Sequence, residues 1–446
     1  MGKDNNLLKE AKKILDENWM DLPDGGGFTK PSKKMYPFQW NWDSGFIAYG
    51  YSYYDSEKAL KELETLFKGQ WKNGFLPHMI FHNVDEEFFP GHSFWQSEMS
   101  SNAPKNIETS GIIQPPMCTL AIWHMYKMMK SEKEKNEMIS KFFDKVYLTH
   151  KYLMTKRDPE KWGLVTVYHP WESGFDNSPR WDVAMEHPDI EHLLEGAYKR
   201  SDLSYVEDPL MRPSEKEYDT YLNLALNLKR YGYNDEKIYE NHSFKIKDVV
   251  FSSIVYVGNI RLRKMALVLG EDTKEIDEWI ERFEKNIFEK CWSEKDGLFY
   301  DYDIVKGESI EVQTAGGMVP MITGLLDNEK MEKVMENLNH ADFCGSGSCL
   351  FHLLPSTSLN KSNFHPMSYW RGPLWININW LIWKSLYLNG YGKKAEEWRR
   401  NMLDLVSEHG FYEYFNPLTG EGLGAKNFSW TAALVIDLLS RHKNGI

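Results

Sequence analysis

Cysteine is scarce in this 446-residue chain: Cys118, Cys291, Cys344 and Cys349 lie scattered, with no C-x-x-C pair among them. That argues against a disulfide framework and a cysteine zinc site, and it suits a reducing compartment. Long apolar runs are missing too, since no stretch approaches the roughly 18 residues that span a bilayer. The opening MGKDNNLLKEAKKILDENW is charged and amphipathic, without the apolar core of a signal peptide. Gly2 also lacks the downstream Ser or Thr of a myristoylation site. A cytoplasmic protein without a membrane partner is expected. Positive charge is in deficit, with a net charge of −12. Nucleic-acid phosphates need a basic face, so that partner class is excluded, while one or two local arginines suffice for a small anion.

The familiar cofactor motifs are also absent. There is no G-x-x-x-x-G-K-[ST], no G-x-G-x-x-G after a strand and no H-E-x-x-H. Gly25-Gly26-Gly27 reads as a flexible loop rather than a phosphate cradle. His187 and His192 lack metal-site spacing, and Gly345-Ser346-Gly347-Ser348 lacks the strand and helix that flank a nucleophile elbow. No metal and no cofactor are expected, which leaves catalysis to carboxylates.

Helical periodicity dominates what is present. Apolar residues recur at i, i+3, i+4 near 5–18, 56–69, 111–130, 134–155, 215–231, 247–268, 273–290, 312–325, 329–338, 373–389, 393–408 and 427–441. About a dozen helices without a fixed-period repeat predict a closed (α/α) barrel rather than an open solenoid. No Pro/Ser-rich linker divides the chain, so residues 1–446 read as a single domain, and SEKEKNE at 131–137 as a solvated turn and helix start. Long aromatic-rich connections at 23–46, 74–109, 157–214, 341–372 and 410–426 exceed ordinary loop lengths. Gathered at one mouth of the ring, they would build a deep pocket.

Aromatic residues reach 14%, including 17 Trp, and roughly half of those indoles are expected in the core, since a core does not need that many. Sugar sites use such rings as flat apolar platforms. Two clusters set carboxylates among them. His169 to Asp182 carries Glu172, Asp176, Asp182 and Arg180 with Trp171 and Trp181, across Ser-Gly and Ser-Pro breaks that forbid a regular helix. Phe411 to Gly420 carries Glu413 within four aromatics. An acid against apolar surface has its charged form disfavoured, which suits a general acid, and two such acids fit the plan of glycoside hydrolysis. Tyr36-Pro37-Phe38-Gln39-Trp40-Asn41-Trp42-Asp43 and Tyr369-Trp370-Arg371-Gly372-Pro373-Leu374-Trp375 read as walls of the same site. Asp43 serves equally well as a sugar-hydroxyl partner or as a helix N-cap. A sugar epimerase would want paired histidines on inner helices, and a carbohydrate-binding module would need neither acid.

At these residues the sequence resembles glycoside hydrolase family 63, in the E-S-G-x-D of Glu172–Asp176 and the E-Y-x-x-P-x-T-G from Glu413 with Phe428-Ser429-Trp430-Thr431-Ala432-Ala433 behind it. It is similar above all to the bacterial branch acting on glucosylglycerate and mannosylglycerate. The matching stretches are YPFQWNWD (36–43), QWKNGFLPH (70–78), SGIIQPP (110–116), HPWESGFDNSPRWD (169–182), RPSEKEYD (212–219), LLPSTS (353–358) and YWRGPLW (369–375), in order along residues 35–441. The resemblance implies an all-α (α/α)6 barrel and an inverting α-glycosidase, with glucosylglycerate as first substrate and mannosylglycerate or another small α-glucoside as alternatives. It implies Asp176 as general acid and Glu413 as general base. Tyr36, Trp40, Trp42, Asp43, Gln114, Trp171, Tyr369, Trp370 and Trp375 would line the sugar subsite, with Arg212 and Tyr218 on the glycerate carboxylate. Phe88 departs from the branch, where a tyrosine hydroxyl is expected near the glycerate. A small glycoside is the expected partner, and a homo-oligomer is compatible with the sequence.

Overall fold

A computed structural model describes residues 2–82, 88–186, 198–345 and 347–444. His187 and His192 lie outside the described residues. Among the described residues twelve helices of eleven residues or more form the frame: α1 Gly2–Asn18, α2 Asn41–Tyr51, α3 Ser56–Lys68, α4 Met117–Met128, α5 Glu132–Lys156, α6 Glu215–Arg230, α7 Val249–Leu269, α8 Lys274–Cys291, α9 Asn328–Asn339, α10 Ile376–Leu388, α11 Gly392–His409 and α12 Ser429–Asn444. Contacts run α2 to α4 to α7 to the segment 315–323, then to α10, α12 and back to α2. These six form a closed inner ring. Every residue of α2 is buried, as are the first eleven of α7, because an inner helix touches neighbours on all sides. Outer helices bury one stripe only: α3 buries Ala59, Leu63 and Leu66, and α8 buries Ile276, Trp279, Ile280, Phe283 and Ile287. The protein is an (α/α)6 toroid.

Three expectations are corrected. Residues 312–325 do not make a helix; the fourth inner element is two 3-10 turns, Ala315–Gly317 and Val319–Thr323, the second with Pro320 in its first turn. The helix expected over 111–130 begins only at Met117, after Pro115-Pro116, which leaves Gln114 in extended chain. Cys344 and Cys349 are joined in a disulfide, where the scattered spacing had suggested none. A 3-10 turn at Ala341–Phe343 and a left-handed Cys344 (φ 63°) reverse the chain so that the two Cα atoms stand 5.2 Å apart. No described helix is long and apolar enough to cross a membrane.

Candidate active site

Inner helices open onto the site at their N-terminal ends. Trp42 and Asp43 lie in the first turn of α2, Gln114 just before α4, and Trp430 in the first turn of α12. Aligned peptide dipoles make those ends favourable to negative charge. Together with the loops they enclose a partly open pocket. It is lined by Tyr36, Trp40, Trp42, Asp43, Gln114, Trp171, Asp176, Arg212, Tyr218, Tyr369, Trp370 and Glu413, so the structure brings together all but one of the residues assigned to the site from the sequence. Trp375 is the exception. It sits behind the wall, stacked on Trp370 at 3.8 Å with planes 3° apart, and supports that ring from the core.

Glu413 stands in the hairpin Tyr412–Phe415/Gly422–Lys426, where the register shifts between Tyr412 and Tyr414. Such a bulge re-aims a side chain. Glu413 Oε1 accepts from the Tyr36 hydroxyl (2.7 Å) and the Tyr369 hydroxyl (3.3 Å), and Oε2 from the Ala425 amide (3.0 Å). Opposite, Gly424 is left-handed (φ 69°), and a Cβ there would lie 2.5 Å from Oε2. Tyr369 is itself held at φ 41°, strain of the kind stored at functional sites.

Asp176 follows the short helix Pro170–Ser173, whose Gly174 (φ 76°) packs so closely on Trp42 that a Cβ would meet its ring at 2.4 Å. Tyr221 donates to the Asp176 carbonyl (3.1 Å), and Asn177 Oδ1 accepts from the Trp370 amide (2.8 Å), tying the acid loop to the aromatic wall. Burial pushes the Asp176 carboxyl up to about 7; nearby Arg212 opposes that rise and Glu413 adds to it. Burial also holds Asp43 well above the usual carboxylate range. Asp43 makes no capping hydrogen bond: the N-cap of α2 is Trp40, and Asp43 Oδ1 is buried with no partner among the described residues. An N-cap reading therefore fails, and a pocket-lining acid with one unpartnered oxygen suits a sugar hydroxyl.

The remaining acids of the first cluster do not face the pocket. Glu172 accepts both Arg157 Nη1 and Nη2 at 2.9 Å, plus the Ile113 (3.1 Å) and Tyr168 (2.6 Å) amides, all in the core. Asp182 pairs with Arg371, which also reaches Glu217 at 3.0 Å. Gln114 Oε1 accepts the Trp42 amide (3.2 Å), which leaves its Nε2 as a donor for a ligand. Arg212 is buried; it bridges neither Asp208 nor Glu215 but donates to the Tyr36 hydroxyl (2.9 Å) and to Asp202 (3.1 Å). Tyr218 donates its hydroxyl to the Phe89 carbonyl (3.2 Å). Sequence reasoning missed His78, Phe89, Ser201, Asp202 and Trp430 on the pocket wall. His78 ends the QWKNGFLPH stretch and was legible there; Ser201 and Asp202 belong to no motif. Among the described residues no three His, Cys, Asp or Glu side chains gather as metal ligands.

Known proteins share this architecture. A family model for the mannosylglycerate hydrolase MGH1-like glycoside hydrolase domain matches residues 36–431. The chain is 37% identical to a mannosylglycerate hydrolase of Thermus thermophilus over 412 residues, covering 92% of this chain and 96% of that one. It is 35% identical to the glucosylglycerate hydrolase of Mycolicibacterium hassiacum over 429 residues, 93% and 95% of the two chains. The crystal structure of a family 63 mannosylglycerate hydrolase from Thermus thermophilus with Tris and D-glycerate superposes with a TM-score of 0.88 at 36% identity, over 96% of this chain and 99% of that one.

Proposed function

The chain belongs to glycoside hydrolase family 63, and from that premise we propose that it hydrolyses the α-glycosidic bond of a glycerate glycoside, glucosylglycerate first and mannosylglycerate second. The observation that carries this reading is the convergence of Asp176, Glu413 and the buried Arg212 on one aromatic pocket. Asp176 keeps its proton near neutrality and delivers it to the glycosidic oxygen as the C–O bond breaks. Glu413, fixed by two tyrosine hydroxyls, takes a proton from the water that attacks the anomeric carbon on the opposite face, and the configuration inverts. Trp42, Trp171 and Trp370 supply faces for the sugar ring. Arg212 supplies charge-assisted donors for the aglycone carboxylate. The mannosyl alternative rests on the Thermus relative's activity and on the fact that the two sugars differ at one hydroxyl.

Purified protein should be offered glucosylglycerate, mannosylglycerate and neutral α-disaccharides, with the first-formed anomer identified by NMR. Release of the β-anomer from a glycerate glycoside is expected, and equal turnover of neutral disaccharides would overturn the aglycone assignment. Arg212→Ala should lower kcat/KM on the glycerate substrate by roughly 2–4 kcal/mol equivalents, as for a lost charge-assisted pair. Because Arg212 also holds the Tyr36 hydroxyl, a neutral glycoside should lose activity too, by less.

A further inference from the structure

One carboxylate on the pocket wall has no part in proton transfer. Asp202 begins the 3-10 turn Asp202–Tyr205 and is caught between two arginines. Its Oδ1 accepts Arg200 Nε at 3.1 Å, and its Oδ2 accepts Arg200 Nη2 at 2.8 Å and Arg212 Nε at 3.1 Å. Arg200 is anchored in turn, with Nη1 donating to the Pro213 carbonyl (2.7 Å) and its guanidinium 4.3 Å from the Tyr218 ring centre. The three charged side chains are 12% exposed or less, so water does little to screen them.

A guanidinium is a flat set of five donors with no acceptor, so fixing two of its nitrogens fixes its orientation. In Arg212 those two are Nε, on Asp202, and Nη1, on the Tyr36 hydroxyl, while Tyr369 lies 4.3 Å beneath the plane. Nη2 makes neither of these two contacts, and the Tyr414 hydroxyl also lies beside this guanidinium. A competing pull exists on the other side, because Glu413 Oε1 stands 3.5 Å from Nη1. Without the negative charge at Asp202, the guanidinium would swing toward Glu413 and close a full ion pair with the general base.

We propose that Asp202 is a specificity-determining positioning residue, which holds Arg212 at Nε against the pull of Glu413 and so keeps its guanidinium free for a monoanionic aglycone. The proposal rests on the reading of Arg212 as the aglycone's partner, and the test separates the two. Asp202→Asn keeps the size and an acceptor oxygen but drops the charge; Asp202→Ala removes both. Each is assayed as the full chain on glucosylglycerate, mannosylglycerate and glucosylglycerol, a neutral glycoside of similar size, beside Arg212→Ala. KM for the glycerate glycosides should rise about tenfold in Asp202→Ala and by a smaller factor in Asp202→Asn, so that the charged-to-neutral ratio of kcat/KM falls about tenfold, the scale of one misplaced charge-assisted contact. A mere structural defect would lower both activities together and leave that ratio in place. An unchanged ratio, or a lower KM for the charged substrates, overturns the role of Asp202, and if Arg212→Ala still collapses the ratio the aglycone reading survives it. If Arg212→Ala leaves the ratio unchanged, the aglycone reading fails and takes this proposal with it. Should Asp202→Ala not fold, Asp202→Asn carries the comparison.

Discussion

At the scale of single residues, the site works by giving similar carboxyls different surroundings. Asp176 titrates near 7 because burial penalises its charged form more than Arg212 relieves it. Activity requiring a protonated Asp176 should therefore fall as pH rises through about 7. Arg212 lowers that value, so Arg212→Ala should move the alkaline limb of the kcat profile upward, which a pH series on both proteins checks. The same shift has a cost in stability. An unfolded aspartate ionises near 3.8 and the folded one near 7, so the native state binds more protons between those values and stability declines as pH rises across them. Asp176→Asn removes the penalty. It should be more stable than the parent at pH 8, by on the order of 1 kcal/mol or more, and melt at a higher temperature there, with little difference at pH 3.5 and kcat down by roughly 10²- to 10⁴-fold. Equal Tm differences at both pH values would count against a buried, proton-holding Asp176.

At the scale of elements, two small devices aim the proposed catalytic groups. The bulged hairpin presents Glu413, and Gly424 leaves room for it. Gly424→Ala adds a Cβ at 2.5 Å from Glu413 Oε2 on a left-handed backbone, and should cost about 1–2 kcal/mol of stability together with most of the activity. Denaturant melts and kcat measure both. The acid loop is pinned by Glu172, whose four hydrogen bonds join the end of α5, the extended segment at Ile113 and the loop itself. Glu172→Ala leaves Arg157 charged and unpaired in the core, an expected loss of about 3–5 kcal/mol. Neither device was legible in advance: the E-S-G-x-D stretch and its flank offered three acids in one cluster, and only packing decides which of them meets an arginine and which meets the pocket. Helix α2 was hidden for a related reason. A helix buried on every side has no polar face, so its residues carry no i, i+3, i+4 contrast, whereas the outer helices α3 and α8 carry it plainly.

At the scale of the whole molecule, ring closure is the central fact. α12 packs on α1, α2 and α10, and it also delivers Trp430 to the pocket. An open solenoid tolerates loss of a terminal repeat, because each repeat touches only its neighbours. A closed toroid does not. A chain ending at residue 427 should therefore lose cooperative unfolding, and its failure to fold is readable by circular dichroism and size-exclusion chromatography. A folded, melting truncate would argue for a solenoid-like division of stability. The long loops gain their meaning from the same closure, since it sets segments from 36 to 430 around one opening.

The amino-acid sequence determined the all-helical ring, the surplus of indoles and the two carboxylate loops, because helical periodicity and aromatic-embedded acids are local patterns that survive being read one residue after another. It also marked twelve of the pocket residues, through stretches long enough to resemble one family. The tertiary structure alone decided that Trp375 backs the wall rather than forming it, that Glu172 serves the core, that Asp43 caps nothing, that Cys344 meets Cys349, and that Asp202 stands beside Arg212. Each of those depends on which groups meet across the ring, and no local pattern carries that, because charge pairing, burial and stacking are set by distance in space rather than along the chain.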